Sequence, residues 1–406
     1  MKQLFRGKYL MVLIASCGLA GAVLGLLVNV SGLFFTPIAE DLGVGRGSVS
    51  LTLTICNLVF ALGGMVCPRL VKSKNFKLML LLSMIVFAGS TALQAAAPNL
   101  IILYILNGLR GFAAGVCGMV LITIVINNWF LESTSLVTSI AMAFSGLAGA
   151  VFSPILSSII TSAGWRVGYL VDAGLIALFE LPAILLPIGF FPKDAGAEPY
   201  GKAAGAGKSA ENAEDAAPSR FPITLMVLLT AYAILASYVA SYPPHFPGIA
   251  DSYGFSAAVG STLLSICMVA NSGGKILFGA LADKFGAKKI IMLFSLLIGA
   301  GALLLMIFHV PGLMYGAAAL FGLCYAIANV GTVTATRELA GRKGYNSVYP
   351  TVSMIATVAN AFGSSLVGFM YDAAGNYNGG LILAAVLTVI MMGLIFSCYV
   401  FKKKMA

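Results

Sequence analysis

The chain has 406 residues, of which 60% are hydrophobic and only 9% charged, with a mean hydropathy of +0.98. A soluble domain carries about a quarter charged residues, so this composition excludes a soluble globular protein and fits a chain that crosses a membrane many times. The formal net charge of +10 does not point to nucleic acid, because the basic residues gather in loops on one side of the apolar runs.

A helix needs about 20 apolar residues to cross the hydrocarbon core, and the length leaves room for roughly twelve with short loops. Strands are not expected, since the runs are continuous rather than alternating. In chain order the runs predict helices over 9–36, 48–68, 77–97, 100–127, 136–161, 168–191, 222–247, 257–282, 289–309, 311–335, 347–371 and 379–401. The first run is too long for a signal peptide and lacks its small-residue cleavage pattern, so it is read as the first span. Of the 24 Lys and Arg, only Arg46, Arg110, Arg166 and Lys275 fall away from the two termini and alternate loops. By the positive-inside rule that basic face is cytoplasmic and carries both termini, with a plasma (inner) membrane as the expected location.

All seven cysteines fall within predicted spans. They read as small packing residues, with no metal-ligand spacing and no disulfide expected. The one long polar tract, rich in Ala, Gly, Lys and Glu, reads as a flexible linker. It divides the chain into a first half over 1–191, a cytoplasmic linker over 192–220 and a second half over 221–406. An internal repeat supports the division. Ile38-Ala39-Glu40-x-x-Gly43-Val44 recurs as Ile249-Ala250-Asp251-x-x-Gly254-Phe255, a shift of 211 residues that also sets Tyr104 on Tyr315, Gly111 on Gly322, and Ala163-Gly164 on Ala374-Gly375. The predicted fold is an all-α membrane protein of twelve transmembrane helices in two six-helix halves of parallel topology.

The turn Gly279-x-x-x-Asp283-Lys284-x-Gly286-x-Lys288-Lys289 matches the cytoplasmic loop signature of the major facilitator superfamily, and the chain resembles those transporters over nearly its whole length. The resemblance implies a gating role for Gly279, Asp283, Lys284, Gly286 and Lys288, and a substrate site near the midplane between the halves. The corresponding first-half loop, Pro68-Arg69-Leu70-Val71-Lys72-Ser73-Lys74-Asn75, has lost the acid and the final glycine. Finer features are similar to the monocarboxylate-porter and oxalate–formate exchanger branch: Trp129-Phe130, Gly164-Trp165-Arg166, His245-Phe246-Pro247, and Gly368-Phe369-Met370-Tyr371-Asp372. Asn271-x-x-x-Lys275-x-x-x-Gly279 falls where monocarboxylate porters resemble Asp-x-x-x-Arg-x-x-x-Gly, whose arginine binds the substrate carboxylate. Here a lysine takes that place, a point charge without the bidentate fork, and Asn271 cannot exchange a proton as an aspartate does. The lysine of helix 1 in proton-coupled porters and the helix 11 cation of the oxalate exchangers are missing.

Read from the residues alone, Asn271, Lys275 and Gly279 share one helix face at i, i+4, i+8. Lys275 serves either as a substrate or coupling residue or as a side chain snorkelling to the headgroups. Arg110 lies near the middle of helix 4, facing the cavity or capping a neighbouring kink. Glu180 in helix 6 is read as the one acid deep in a span, a structural pair or a protonatable site. Two buried cations against one acid leave an excess of positive charge that an anionic substrate complements. Further polar candidates are Asn29, Tyr238, Tyr242, Tyr325, Asn329, Ser353 and Asn360, each weighed against ordinary helix-to-helix bonding. His245 is placed in a bend at the outer mouth. Gly18, Gly21, Gly25, Gly146 and Gly149 read as close helix packing.

No phosphate-binding loop, metal cluster or nucleophile–base constellation is visible, so no enzyme activity, cofactor or metal is expected. The expected function is secondary active transport of a small, monocarboxylate-like organic anion by alternating access, through proton symport or anion exchange. The alternatives are proton-driven efflux of amphipathic drug-like compounds and a transport-inactive membrane sensor, for which the linker is too short to add a signalling domain. Expected partners are the organic anion and the lipid bilayer, without nucleic acid, with the monomer as the working unit.

Overall fold

The structure is a computed structural model that describes residues 6–132, 134–201 and 221–405. Backbone groups in hydrocarbon must be satisfied within their own segment, and the apolar runs accordingly form helices. Among the described residues eleven helices are long and apolar enough to cross a membrane. The longest is two spans, because Gly164 sits at φ 86°, ψ 162° inside Thr134–Leu185. Only a residue without Cβ takes that φ without strain, and the chain turns there between α5 (134–163) and α6 (165–185). The other spans are α1 (Gly7–Leu42), α2 (Arg46–Leu70), α3 (Ser73–Gln94), α4 (Leu100–Trp129), α7 (Ile223–Ser252), α8 (Ala257–Phe285), α9 (Ala287–Ile307), α10 (Pro311–Gly341), α11 (Val348–Ala374) and α12 (Asn378–Lys404).

These helices form two compact units, Met1–Val44 with Leu51–Ala206, and Gly45–Ser50 with Gly207–Ala406. In the first unit, α1 packs on α5 and α6 through the glycines picked out in the sequence. A Cβ on Gly18 would lie 2.2 Å from the Phe179 carbonyl oxygen, and one on Gly25 would lie 2.7 Å from the Ala148 methyl. The second unit includes the first turn of α2. Asp372, near the end of α11, accepts from the main-chain N–H of Arg46 at 2.8 Å and of Gly47 at 2.7 Å, satisfying donors that a helix start leaves open. The Arg46 guanidinium pairs with Asp251 and lies 4.4 Å from the centre of the Tyr371 ring.

The sequence repeat reappears in the backbone. Gly43 and Gly254 have φ of 61° and 77°, and Gly164 and Gly375 have φ of 86° and 70°. Both pairs obey the same 211-residue shift.

Several spans expected to be uninterrupted are broken. α1 passes through a π-helical stretch, Gly21–Asn29, and a 3₁₀ turn, Ser31–Phe34. α4 breaks at Gly118, with φ −84° and ψ −145°. α10 carries a π-helical stretch over Ala326–Gly331. The repeat shift sets Gly118 on Asn329 inside that stretch, so α4 and α10 are irregular at matching depths. Such interruptions occur disproportionately at functional sites.

The linker also differs from expectation in its first part. Tyr200 N–H donates to the Trp129 carbonyl at 2.8 Å, Leu131 N–H to the Tyr200 carbonyl at 2.9 Å, and Trp129 Nε1 to the Gly189 carbonyl at 2.9 Å. Tyr9 meets Tyr200 and Trp129 edge-on, with ring centres 5.4 Å and 6.4 Å apart. Residues up to Gly201 are thus strapped to the ends of α1 and α4, because paired backbone and buried rings outweigh a composition that reads as flexible. The remainder, 202–220, lies outside the described residues.

Candidate functional site

In the second unit the close approach of α8 to α10 frames the candidate site. A Cβ on Gly322 would lie 2.5 Å from the Cys267 carbonyl oxygen, and one on Gly274 would lie 2.9 Å from the Leu323 side chain. These two glycines let the backbones touch, which sets Lys275 beside Tyr325 at the edge of the π-helical stretch. The Lys275 ammonium lies 6.0 Å from the Tyr325 ring centre. A cation at that range is attracted to the ring face but not neutralised by it. The ion pairs among the described residues are Arg46–Asp251, Arg110–Asp172 and Arg166–Asp41, and Lys275 belongs to none of them.

One turn earlier on α8, Asn271 is buried at 3% exposure. Its Oδ1 has no hydrogen-bond partner among the described residues. Asn329 is exposed and donates to the Tyr325 carbonyl at 2.9 Å, on its own helix. The structure therefore brings Lys275 to Tyr325, with Asn271 one turn away on α8 and Asn329 bonded to the Tyr325 carbonyl on α10.

The other candidates hold helices together. Asn29 Nδ2 donates to the Ser145 carbonyl at 3.1 Å, Asn360 Nδ2 to the Ser237 carbonyl at 2.8 Å, and the Tyr242 hydroxyl to the Gly380 carbonyl at 2.8 Å. Tyr238 packs edge-on against Tyr242, ring centres 5.6 Å apart. His245 is buried rather than open at an outer mouth, with Nε2 2.7 Å from the Ser364 carbonyl. The prolines before it fold a 3₁₀ turn, Pro243–His245, that carries the ring inward.

In the charged loop, Gly286 takes φ 84° and separates α8 from α9. Asp283 and Lys284 are exposed, and the Lys288 ammonium sits 4.0 Å from the Phe396 ring centre. Glu338, which sequence reasoning passed over, caps the start of α9. Its Oε1 accepts from Ala287 N–H at 3.0 Å and its Oε2 from the Tyr399 hydroxyl.

The first unit corrects the count of interior charges. Glu180 is not the one deep acid, since Asp172 is fully buried and pairs with Arg110 at 2.7 Å. Asp172, eight residues past the turn at Gly164, was passed over in the sequence. Arg110 is therefore engaged within its own unit, which leaves its Nε and the Asp172 Oδ1 without partners. Glu180 Oε1 accepts from the Cys117 thiol at 3.1 Å, while its Oε2 has no partner. With Arg110 paired, Lys275 in the second unit is a cation inside a span that no carboxylate pairs with among the described residues.

Among the described residues the apolar spans, in two repeated units with a few charges set inside them, define a polytopic membrane protein. The family model of the Major Facilitator Superfamily matches residues 17–246 and 225–405, and the chain belongs to that superfamily. It is 26% identical to the hexuronate transporter of Bacillus subtilis (strain 168) over 382 residues, 87% of this chain and 84% of that one. It is 21% identical to monocarboxylate transporter 13 of Rattus norvegicus over 282 residues, 67% of this chain. The match spans 63% of the rat protein's length. Among solved structures, a mutant of the nucleoside transporter NupG superposes with a TM-score of 0.71 at 14% identity, covering 96% of this chain and 99% of that one. A bacterial homolog of the human lysosomal transporter Spinster, inward-facing and occupied, gives 0.69 at 14% identity, covering 98% and 97%. At that identity the likeness shows the fold.

Proposed function

We propose that this chain is a secondary active transporter of a small, monocarboxylate-like organic anion, working by alternating access through proton symport or anion exchange. One observation carries the reading: Lys275 is an interior cation beside Tyr325, and no carboxylate among the described residues forms an ion pair with it. An uncompensated cation at membrane depth is costly, and an anionic substrate offsets that cost whenever the site is filled. Lys275 is the principal anchor. Arg110, held by Asp172, acts on the substrate at most through the field of the pair. The relatives support the same class, since the rat protein is called a monocarboxylate transporter and the bacterial one a hexuronate transporter.

The working unit is a monomer, multi-pass in the plasma (inner) membrane. Its six-helix halves, 1–191 and 221–406, are joined by a cytoplasmic linker over 192–220. Both termini are cytoplasmic, as the one-sided basic loops imply. Asp283, Lys284 and Lys288 belong to a gating loop on that face.

The test is uptake and counterflow of labelled organic anions in proteoliposomes, for wild type and Lys275→Ala, with and without a pH gradient. Saturable carboxylate transport that collapses in the variant is the expected result, and its dependence on the gradient separates symport from exchange. Transport of lipophilic cations that is indifferent to Lys275 refutes the reading in favour of drug efflux.

A further inference from the structure

We propose that the lipid-facing seam of α9 and α12 in the second unit is a binding site for an anionic phospholipid, with an acyl chain in an apolar groove between the two helices and the headgroup on the lysines at their basic end. The groove holds about 410 Å³. Its walls are Leu296 and Leu303 from α9 and Ile382, Val386 and Val389 from α12, each between 40% and 66% exposed. The floor is set at Gly299, where a Cβ would lie 2.5 Å from the Thr388 hydroxyl oxygen. Thr388 is the polar residue of the lining, and its hydroxyl donates to the Ala385 carbonyl at 2.7 Å, so that donor is already used. A chain of methylenes suits such a surface.

The faces that wall the groove end in positive charge. On α9, Lys289, Met292, Leu296, Ala300 and Leu303 fall on one stripe, and on α12, Ile382, Val386, Val389, Phe396 and Lys403 do the same, at helical spacings of three, four and seven. Lys289, Lys403 and Lys404 are exposed. The Lys288 ammonium lies 4.0 Å from the ring centre of Phe396, itself 48% exposed, which places that charge over the seam. None of these lysines belongs to an ion pair among the described residues. The carboxylate of Glu338, which touches this end, is taken up by Ala287 N–H and the Tyr399 hydroxyl.

The distances fit one lipid. At the helical rise Lys289 lies about 10 Å from Leu296 and about 21 Å from Leu303 along α9, and one leaflet contributes about 15 Å of hydrocarbon. A headgroup at the lysines therefore brings its tail into the groove. Charge selects the headgroup, since each lysine near an anionic lipid surface is worth about fivefold in affinity. A soluble anion would meet the lysines and leave the groove unused. A second copy seated on the seam in the same orientation would set its own lysines against these, and like charges repel. The assignment does not depend on what the protein transports.

The experiment is native mass spectrometry of the full chain purified in detergent and titrated with phosphatidylglycerol or phosphatidylcholine of matched acyl chains. Wild type is compared with the double variant Lys289→Gln, Lys403→Gln and with Ala300→Phe, and thermal unfolding verifies that each variant is folded. Wild type is expected to bind phosphatidylglycerol about 25-fold more tightly than phosphatidylcholine, about fivefold for each of the two exposed lysines. The double variant is expected to lose that preference with its affinity for phosphatidylcholine unchanged. Ala300→Phe puts a ring into the groove that Ala300 lines and is expected to weaken both lipids. Equal binding of the two lipids by wild type, or a preference that the double variant retains, overturns the headgroup assignment. Lipid binding that Ala300→Phe leaves intact overturns the groove and reduces the site to a basic surface. Displacement of phosphatidylglycerol by glycerol phosphate gives the lysines to a soluble anion, and a wild-type dimer that Ala300→Phe dissociates gives the groove to a second copy; either result overturns the proposal. The comparison of the two lipids on wild type stands without any variant, so a misfolded variant does not protect the proposal.

Discussion

Replacing Asp172 by Asn removes the charge that compensates Arg110 inside the first unit. The pair is 2.7 Å apart, with side-chain exposures of 4% and 0%. Opposite charges about 4 Å apart attract by about 4 kcal/mol at an effective dielectric of 20, and breaking a buried pair by removing one partner typically costs about 3–5 kcal/mol. The pair is only half satisfied, because Arg110 Nε and Asp172 Oδ1 lack partners, so about 3 kcal/mol is expected for Asp172→Asn and for Arg110→Leu singly. Replacing both by leucine removes two desolvated charges together and is expected to cost less than either single change. Thermal unfolding of purified protein reads the cycle, with single variants falling by roughly 6–12 °C if 1 kcal/mol shifts a unit of this size by about 2–4 °C. Additive losses, or a single variant as stable as wild type, would refute the pairing. Transport assayed on the double variant then asks a separate question. If it is stable and still transports, Arg110 is a brace; if it is stable and inactive, the guanidinium contributes to the substrate step.

Two further predictions concern the second unit. Gly322→Leu places side-chain atoms where a Cβ alone would already be 2.5 Å from the Cys267 carbonyl oxygen. Overpacking of about 1–3 kcal/mol is expected, and Lys275-dependent uptake should fall because α10 is pushed off α8; wild-type uptake at normal stability would contradict the site geometry. Glu338→Ala removes the acceptor for Ala287 N–H and for the Tyr399 hydroxyl. A loss of about 1–2 kcal/mol and faster hydrogen exchange in the first turn of α9 are expected, and unchanged exchange there would refute the cap.

The fold was legible because its causes are local. Apolar length makes the spans, and glycines at Gly43, Gly164, Gly254 and Gly375 make the turns at positions the repeat predicts. Lys275 stood out for the same reason, as a single charge in an apolar run. The partners of charges were not legible. Asp172 lies 62 residues from Arg110 in sequence, and nothing in a one-dimensional pattern distinguishes a buried acid near a kink from one at a helix end. The breaks in α4 and α10 were hidden too, since Gly118 and Ala326–Gly331 sit inside stretches that still read as continuous spans. Isolated Asn and Tyr residues divide by tertiary packing alone: Asn29, Asn360 and Tyr242 tie helices, whereas Asn271 is left unmet.

What the two halves share and what they do not share separates scaffold from chemistry. Under the 211-residue shift, Lys275 falls on Gly64, Asn271 on Phe60, Arg110 on Phe321, Asp172 on Leu383 and Glu180 on Met391. Each of these five groups thus has an apolar or glycine counterpart in the other half. The counterpart positions pack without a charge, so the fold does not require one at any of them. A charge at membrane depth that folding does not require persists only if something else compensates it. Asp172 does so for Arg110 inside the first unit. For Lys275 the described residues provide the face of Tyr325 and no ion pair, and under the anion transport proposed above the substrate is what supplies the compensation.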